Sequence, residues 1–404
     1  MNKKSIAVIG AGVVGATTAY FLAREGLDVT MIDREVGAAL QCSKANGGQI
    51  SVCNAETWNT WKNVWKGLKW MSQPDAPLLI RRNVSLSKVK WIAAFLYETA
   101  TRTHKQNTID TIALGKRSSE LYSEIETVEK LQFDQSYCGI LHVYNKHDSL
   151  QFAKDNSAPL FEEFGVPWKY VSPEEIFHLD PAMKDFKNIG GFFTDTDWVG
   201  DAHKFSNEIL RVSVEKYGVK TLWSYEVIDV ENHKLKASKV GSDSVELMEF
   251  DEIVICNGYE IASIAAKLGD RLNVYPVKGY SITIEDARAA PKLSLLDDDK
   301  KIVSSTLGSR FRVAGTAEIG SNDLSIRQDR IKPLVKWVNA NFPGIDTNKR
   351  SEWACLRPMN ANMMPIVKTS KAHPNVHYHG GHGHLGWTLA AGTSELLTKR
   401  ICNL

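Results

Sequence analysis

Long apolar runs are missing from this 404-residue chain: no stretch reaches 18 uninterrupted apolar residues, so no membrane-spanning helix is expected. Cysteine is sparse. The six (Cys42, Cys53, Cys138, Cys256, Cys355 and Cys402) are scattered with no CxxC spacing, which argues against a disulfide framework or zinc site and for reduced thiols in a cytosol-facing protein. Neither sign of charge dominates, with 49 Lys+Arg against 47 Asp+Glu, so a nucleic-acid partner is not expected. Internal repeats and low-complexity linkers are also lacking. Lys3-Lys4 ahead of apolar residues 6–11 has the outline of a secretory signal, but the glycines at 10, 12 and 15 belong to a different pattern, and secretion is not expected. What is present is the composition of a globular protein, 43% hydrophobic and 24% charged, long enough for two packed domains.

Residues 5–9 form a short apolar run that reads as a buried parallel strand. Residues 13–24 read as a helix with Tyr20, Phe21 and Leu22 on its packing face, and 28–33 as a second strand. Between the first strand and the helix lies Gly10-Ala-Gly12-Val-Val-Gly15, a dinucleotide fingerprint in the context that gives it weight. Gly10 permits the tight turn, Gly12 lets the backbone through Val13 and Val14 approach a pyrophosphate, and Gly15 allows close helix–strand packing. The anion belongs at the helix N-terminus, where free N–H groups and the helix dipole favour it. Asp33 closes the second strand, where a carboxylate can accept hydrogen bonds from ribose hydroxyls.

The fingerprint does not by itself separate FAD from NAD. FAD is favoured by the motif's position at the N-terminus, by a strand at 252–258 ending in Asn257-Gly258, and by a glycine-rich turn at 379–386. A long cofactor needs such additional contacts. Asp33 beside Arg34 argues against an NADP 2′-phosphate. Residues 57–135 look helical, whereas 278–284 and 311–318 alternate like antiparallel strands. The expected fold is therefore α/β. A discontinuous Rossmann-like FAD-binding domain takes 1–55, 190–262 and 350–404; a substrate-binding domain with a mixed or antiparallel sheet and helices takes 56–189 and 263–349.

Five stretches carry a family resemblance: Asp33-Arg-Glu-Val-Gly-Ala-Ala-Leu40, Ser43-Lys-Ala-Asn-Gly-Gly-Gln-Ile-Ser51, Tyr275-Pro-Val-Lys-Gly-Tyr-Ser281, Leu356-Arg-Pro-Met359 and Gly381-His-Gly-His-Leu-Gly-Trp-Thr388. From about residue 5 to 400, in the same order, the chain resembles the small subunit of bacterial D-amino acid dehydrogenases, within the D-amino acid oxidase and glycine/sarcosine oxidase group. The resemblance implies FAD, with Gly10, Gly12, Gly15, Asp33 and Arg34 at its adenosine half. It also implies that Ser43, Lys44, Ala45, Asn46, Gly47 and Gly48 form the loop beside pyrophosphate and flavin, and that the Val227 backbone meets the adenine. Gly383, His384, Leu385, Gly386, Trp387 and Thr388 are implied to offer N–H groups to the flavin's pyrimidine edge.

The implied reaction is oxidation of a small D-amino acid by hydride transfer from Cα to flavin N5. The imino acid then hydrolyses to a 2-oxo acid and ammonia, and electrons pass to a quinone or another non-NAD acceptor. Arg357 is expected to bind the substrate carboxylate through two parallel charge-assisted hydrogen bonds, and to contact the flavin; the alternative is a structural salt bridge. Tyr280 is a second candidate substrate contact. Lys278 lies either near the flavin or on a solvated strand face. No general base is assigned, because a site that favours the neutral amine suffices.

Asn360-Ala-Asn-Met-Met364 replaces the Thr-Pro-Asp-Gly turn usual in this family, which bears on substrate preference. Cys355 stands where such dehydrogenases commonly carry Gly. Non-covalent FAD is expected; the alternative is a covalent link through Cys355, as in monomeric sarcosine oxidases. His377, His379, His382 and His384 lack a nearby Asp, Glu or Cys set, and no metal site is expected. Trp58, Trp61, Trp65 and Leu68 fall at helical spacing with Lys62, Lys66 and Lys69 interleaved. That stripe is either core-facing or an interfacial patch, the latter fitting a protein peripheral to the inner membrane on its cytoplasmic side. Rival functions are an O2-using glycine/sarcosine-type or D-amino acid oxidase, a flavin-binding subunit of a larger amine or imino acid dehydrogenase complex, and an NAD(P)-linked dehydrogenase.

Overall fold

The computed structural model describes residues 3–70 and 76–404. The strand Ser5–Ile9 lies inside a six-stranded sheet whose spatial order is Ile366–Thr369, Val376–Gly380, Glu252–Ile255, Ser5–Ile9, Asp28–Asp33 and Lys220–Trp223. All neighbours are parallel except the Ile366–Thr369 edge. Central parallel strands are covered on both faces, which explains their continuous apolar runs. Helices Val13–Arg24, Ala202–Tyr217 and Gly386–Cys402 cover one face through Tyr20, Phe21, Phe205, Ile209 and Leu397. The other face meets the antiparallel meander Tyr225–Glu231, Lys234–Lys239 and Val245–Glu249, together with the short helix Ile261–Lys267.

A second sheet has nine strands. Its order runs Arg350–Asn360, Val274–Ile284, Arg310–Ile319, Ile302–Leu307, Ser294–Asp297, Ile140–Val143, Gly191–Thr194 and Lys169–Val171, with Leu78–Ile80 added beside Arg310–Ile319. Helix Gln328–Asn341 packs Ile331, Leu334 and Trp337 against Tyr280, Ile282 and Val313 on one face of this sheet. The α/β class and the sequence-discontinuous nucleotide sheet match the expectation. Two boundaries move. Gly191–Thr194 and Arg350–Asn360, assigned from sequence to the nucleotide domain, are strands of the nine-stranded sheet. Arg350–Asn360 pairs along its length with Val274–Ile284, a partner remote in sequence that no local pattern reveals.

The helical stretch expected at 57–135 resolves into Trp61–Trp70, Leu86–Ala100 and His104–Glu129, with the Leu78–Ile80 strand between the first two. The last of these helices packs on the nucleotide side, where the Tyr122 hydroxyl donates to the Trp387 carbonyl at 2.7 Å. No helix among the described residues is long and apolar enough to cross a membrane.

Candidate active site

The two sheets border a cavity of about 1430 Å³. That exceeds the roughly 300–1,000 Å³ of an ordinary small-molecule site and leaves room for a dinucleotide and a substrate together. The fingerprint turn enters at one end. Gly10 has φ 99°, and a Cβ there would lie 2.7 Å from the Cys256 carbonyl oxygen; a Cβ on Gly15 would lie 1.8 Å from the Gly10 oxygen. The turn itself demands both glycines. Gly12 differs: its Cβ would meet only Ser43 Oγ, at 3.6 Å, so glycine there keeps space open on the cavity side.

The helix that follows has no side-chain cap from Gly12, and Ser43 Oγ takes the Val13 N–H at 3.0 Å. Asp33 accepts from Ala11 N–H at 2.5 Å and from Glu35 N–H at 2.8 Å, joining the two turns through one carboxylate. Burial pushes its carboxyl up, against the pull of those N–H groups. Arg34 forks onto Glu260 at 2.8 and 3.0 Å, a partner that sequence reasoning missed. Val227, Asn257 and Gly258 border the same end, and Asn257 Oδ1 is buried without a partner among the described residues.

The 43–48 loop is stitched to the nine-stranded sheet. Ser281 Oγ donates to the Ala45 carbonyl at 3.0 Å, Arg312 to that of Asn46 at 3.2 Å, and Ser305 Oγ to that of Gly47 at 2.8 Å. Gly48, at φ 84°, donates its N–H to Asn46 Oδ1. The 379–386 turn leads into helix Gly386–Cys402, which also lacks a side-chain cap. Two helix N-termini whose N-cap residues supply no side-chain cap therefore open on one cavity, an arrangement suited to electron-rich groups. Trp387 turns its ring into the core against Tyr122 and Phe205, so only its backbone is available. Thr388 Oγ1 bonds back to the Gln49 carbonyl. His377 is held by Glu252, His379 by Thr18 and His382 by Thr393.

Arg357 lies on the strand face that looks into the cavity. Its position pairs with Val277, and a Cβ added to the neighbouring Gly279 would come 2.4 Å from the Arg357 Nε. The guanidinium thus rests on bare backbone. Gly279 was missed from the sequence, although a glycine inside a strand is itself a signal of close approach. Among the described residues no carboxylate pairs with Arg357; its neighbour is the Cys355 thiol, pulled down to about 7 by Cys42 and by the Arg357 charge. Cys42 Sγ donates to the Leu356 carbonyl at 2.9 Å. His384 stacks on Trp58 with ring centroids 4.5 Å apart, and burial, aided by the Arg357 charge, holds its imidazole down at about 3. Its Nε2 has no partner among the described residues. The site therefore combines a permanent cation with a neutral acceptor.

Lys278 and Tyr280 do not share that face. Strand alternation sends them to the opposite side, where Lys278 Nζ donates to Asp323 at 2.9 Å and the Tyr280 hydroxyl to Glu318 at 2.6 Å. Tyr280 borders the cavity, but its hydroxyl is committed to Glu318, and Lys278 is fully buried, not solvated. The aromatic stripe also divides. Trp58 belongs to the cavity, while Trp61, Trp65 and Leu68 are 52%, 64% and 51% exposed, so the core-facing reading fails for those three.

The family model described as "FAD dependent oxidoreductase" matches residues 5–400. D-amino acid dehydrogenase 3 of Mesorhizobium japonicum is 43% identical over 406 residues, covering 98% of this chain and 96% of its own. D-amino acid dehydrogenase of Paramagnetospirillum magneticum is 33% identical over 404 residues, covering 98% and 94%. Among solved structures, glycine oxidase from Geobacillus kaustophilus superposes with a TM-score of 0.77 at 14% identity, covering 100% and 95% of the two chains. L-proline dehydrogenase from P. horikoshii gives 0.75 at 17% identity, covering 100% and 94%. At such identities the structures testify to the fold alone. The residues around the cavity fit FAD: a space kept by Gly12, an orphaned Asn257 amide oxygen and two helix N-termini. Sequence similarity along nearly the whole chain and a cavity built for a dinucleotide agree that this chain belongs to the family of FAD dependent oxidoreductases.

Proposed function

We propose that the chain oxidises D-amino acids to 2-oxo acids and ammonia, with electrons leaving to a quinone or another non-NAD acceptor. One observation carries the reading. Arg357 has no carboxylate partner among the described residues and lies over Gly279 inside the cavity of a chain 43% identical to a D-amino acid dehydrogenase. Bound FAD supplies a two-electron acceptor for the hydride that departs from Cα. Gly10, Gly12, Asp33 and the 43–48 loop would hold its nucleotide half, and the N–H groups of 383–388 its ring edge.

Arg357 takes the α-carboxylate through a two-pronged contact and so decides which face of Cα is presented. His384, held neutral, offers Nε2 as acceptor to a substrate N–H, while Trp58 backs its ring. The Arg357 charge also disfavours an ammonium beside it, which favours the neutral amine the reaction requires without a dedicated base. The released imino acid hydrolyses in water.

Anaerobic addition of D- and L-amino acids to the yellow protein tests this directly. D-amino acids are expected to bleach the ~450 nm flavin band; failure of every D-amino acid sinks the reading. Mixing the reduced protein with oxygen or a quinone analogue then tests the acceptor, and fast peroxide formation would replace the quinone by O2. Asp33→Ala strands two N–H groups at about 1–3 kcal/mol each and is expected to lower flavin content per chain and thermal stability together. Trp61, Trp65 and Leu68, all exposed on helix Trp61–Trp70, support peripheral membrane contact. Their joint replacement by Ala is expected to abolish co-sedimentation with anionic liposomes; unchanged sedimentation removes them from that role.

A further inference from the structure

The same cavity is lined by a second group of cations, Lys62, Lys66 and Lys301. Lys62 and Lys66 stand four residues apart on helix Trp61–Trp70 and so share a face. Lys301 comes from the turn between strands Ser294–Asp297 and Ile302–Leu307, at φ 54°, a conformation that residues with side chains seldom adopt.

The carboxylates nearby are already engaged. Asp298 takes Lys301 at 2.7 Å and His142 Nδ1 at 2.9 Å, and His142 Nε2 in turn meets Cys53 Sγ at 3.1 Å. Asp299 accepts from the Asn145 N–H and the Ser149 hydroxyl. Glu56 lies 3.4 Å from His104 Nε2 and 3.5 Å from Ser157 Oγ. No carboxylate among the described residues pairs with Lys62 or Lys66, and the Lys62 ammonium sits over the Phe152 ring, 2.8 Å from its centroid. Burial, then the charge of Lys66, pulls Lys62 down to about 8; burial and Lys301 pull Lys66 down as well. Lys301 is already paired with Asp298, whereas the crowded Lys62 and Lys66 have no carboxylate at ion-pair distance among the described residues and are relieved by an incoming anion. Lys62, Lys66 and Lys301 border the same cavity as His384 and Arg357.

We infer that this cluster is a subsite for a second acid group, so that the preferred substrates are D-amino acids with a carboxylate side chain. Arg357 takes the α-carboxylate and Lys62 and Lys66 take the distal one, beside the Lys301–Asp298 pair. The inference rests on the D-amino acid reading above. A neutral side chain leaves Lys62 and Lys66 unpaired, and a cationic one meets their two like charges.

The test is kcat/KM of the FAD-loaded full chain for D-glutamate, D-aspartate, D-alanine and D-lysine with a quinone analogue as acceptor. Wild type is expected to favour an acidic substrate over D-alanine by roughly ten-fold or more, since charge-assisted hydrogen bonds are the strong ones. The double variant Lys62→Met/Lys66→Met is expected to lose about that factor on the acids and to change by less than about two-fold on D-alanine. Lys62→Arg/Lys66→Arg, which keeps both charges, is expected to retain the acid preference. Turnover of D-alanine or D-lysine in preference to the acids, or equal losses on all substrates in the Met variant, overturns this inference alone. Reduction by no D-amino acid overturns the dehydrogenase reading beneath it.

Discussion

Alanine in place of Arg357 is expected to lower kcat/KM for D-amino acids by roughly 10³-fold while the protein stays yellow. Two charge-assisted hydrogen bonds at about 1.5–3 kcal/mol each, less what water returns to the freed carboxylate, leave about 4 kcal/mol. The loss should divide between KM and kcat, because a forked contact both binds the acid and aims Cα–H. Lysine at this position is expected to restore little, as a point charge lacks the fork. A second route to the same geometry leaves Arg357 in place. Gly279→Ala would put a Cβ 2.4 Å from Arg357 Nε, so the guanidinium must move. A displacement of that kind is expected to cost about 10²-fold in kcat/KM. Steady-state kinetics with flavin content measured on the same samples checks both variants; unchanged kinetics for Arg357→Ala would remove that residue from the site.

Gly15→Ala is expected to yield a chain that carries no FAD. The added carbon would stand 1.8 Å from the Gly10 oxygen, a separation no side chain relieves because the obstacle is backbone. Helix Val13–Arg24 must therefore back away from its strand, taking with it the N-terminus that faces the cavity. Thermal stability should fall in step with flavin content. Gly12→Ala makes the informative contrast, since its Cβ meets only Ser43 Oγ at 3.6 Å. That variant is expected to fold with near wild-type stability when stripped of cofactor and yet to bind FAD weakly. The 280/450 nm absorbance ratio and thermal unfolding with and without added FAD separate the two cases. Full FAD occupancy in Gly15→Ala would detach the turn from the nucleotide.

The fingerprint was legible because its requirements are local. Strand Ser5–Ile9, the turn and helix Val13–Arg24 are adjacent in the chain. The φ of 99° at Gly10 and the clash of Gly15 with the Gly10 oxygen arise within the motif, although the carbonyl that crowds Gly10 belongs to the distant Cys256. Arg357 was singled out by the family resemblance and the chemistry of a guanidinium, and its role is the one proposed above. The sequence alone thereby determined the α/β class, the nucleotide turn and the cation proposed to meet the substrate. Tertiary structure decided which faces those residues present. Period-two alternation marks two faces on Val274–Ile284 but does not say which one meets the cavity; Asp323 and Ser325 drew Lys278 away from it, while Tyr280 borders the cavity with its hydroxyl given to Glu318. Helical spacing likewise placed Trp58 with Trp61 and Trp65, until the distant His384 offered it a stacking partner. The lysine cluster was invisible for the same reason: Lys62, Lys66 and Lys301 meet only because a sheet turn and a separate helix border one cavity, and contacts set by chain folding over hundreds of residues leave no local period to read.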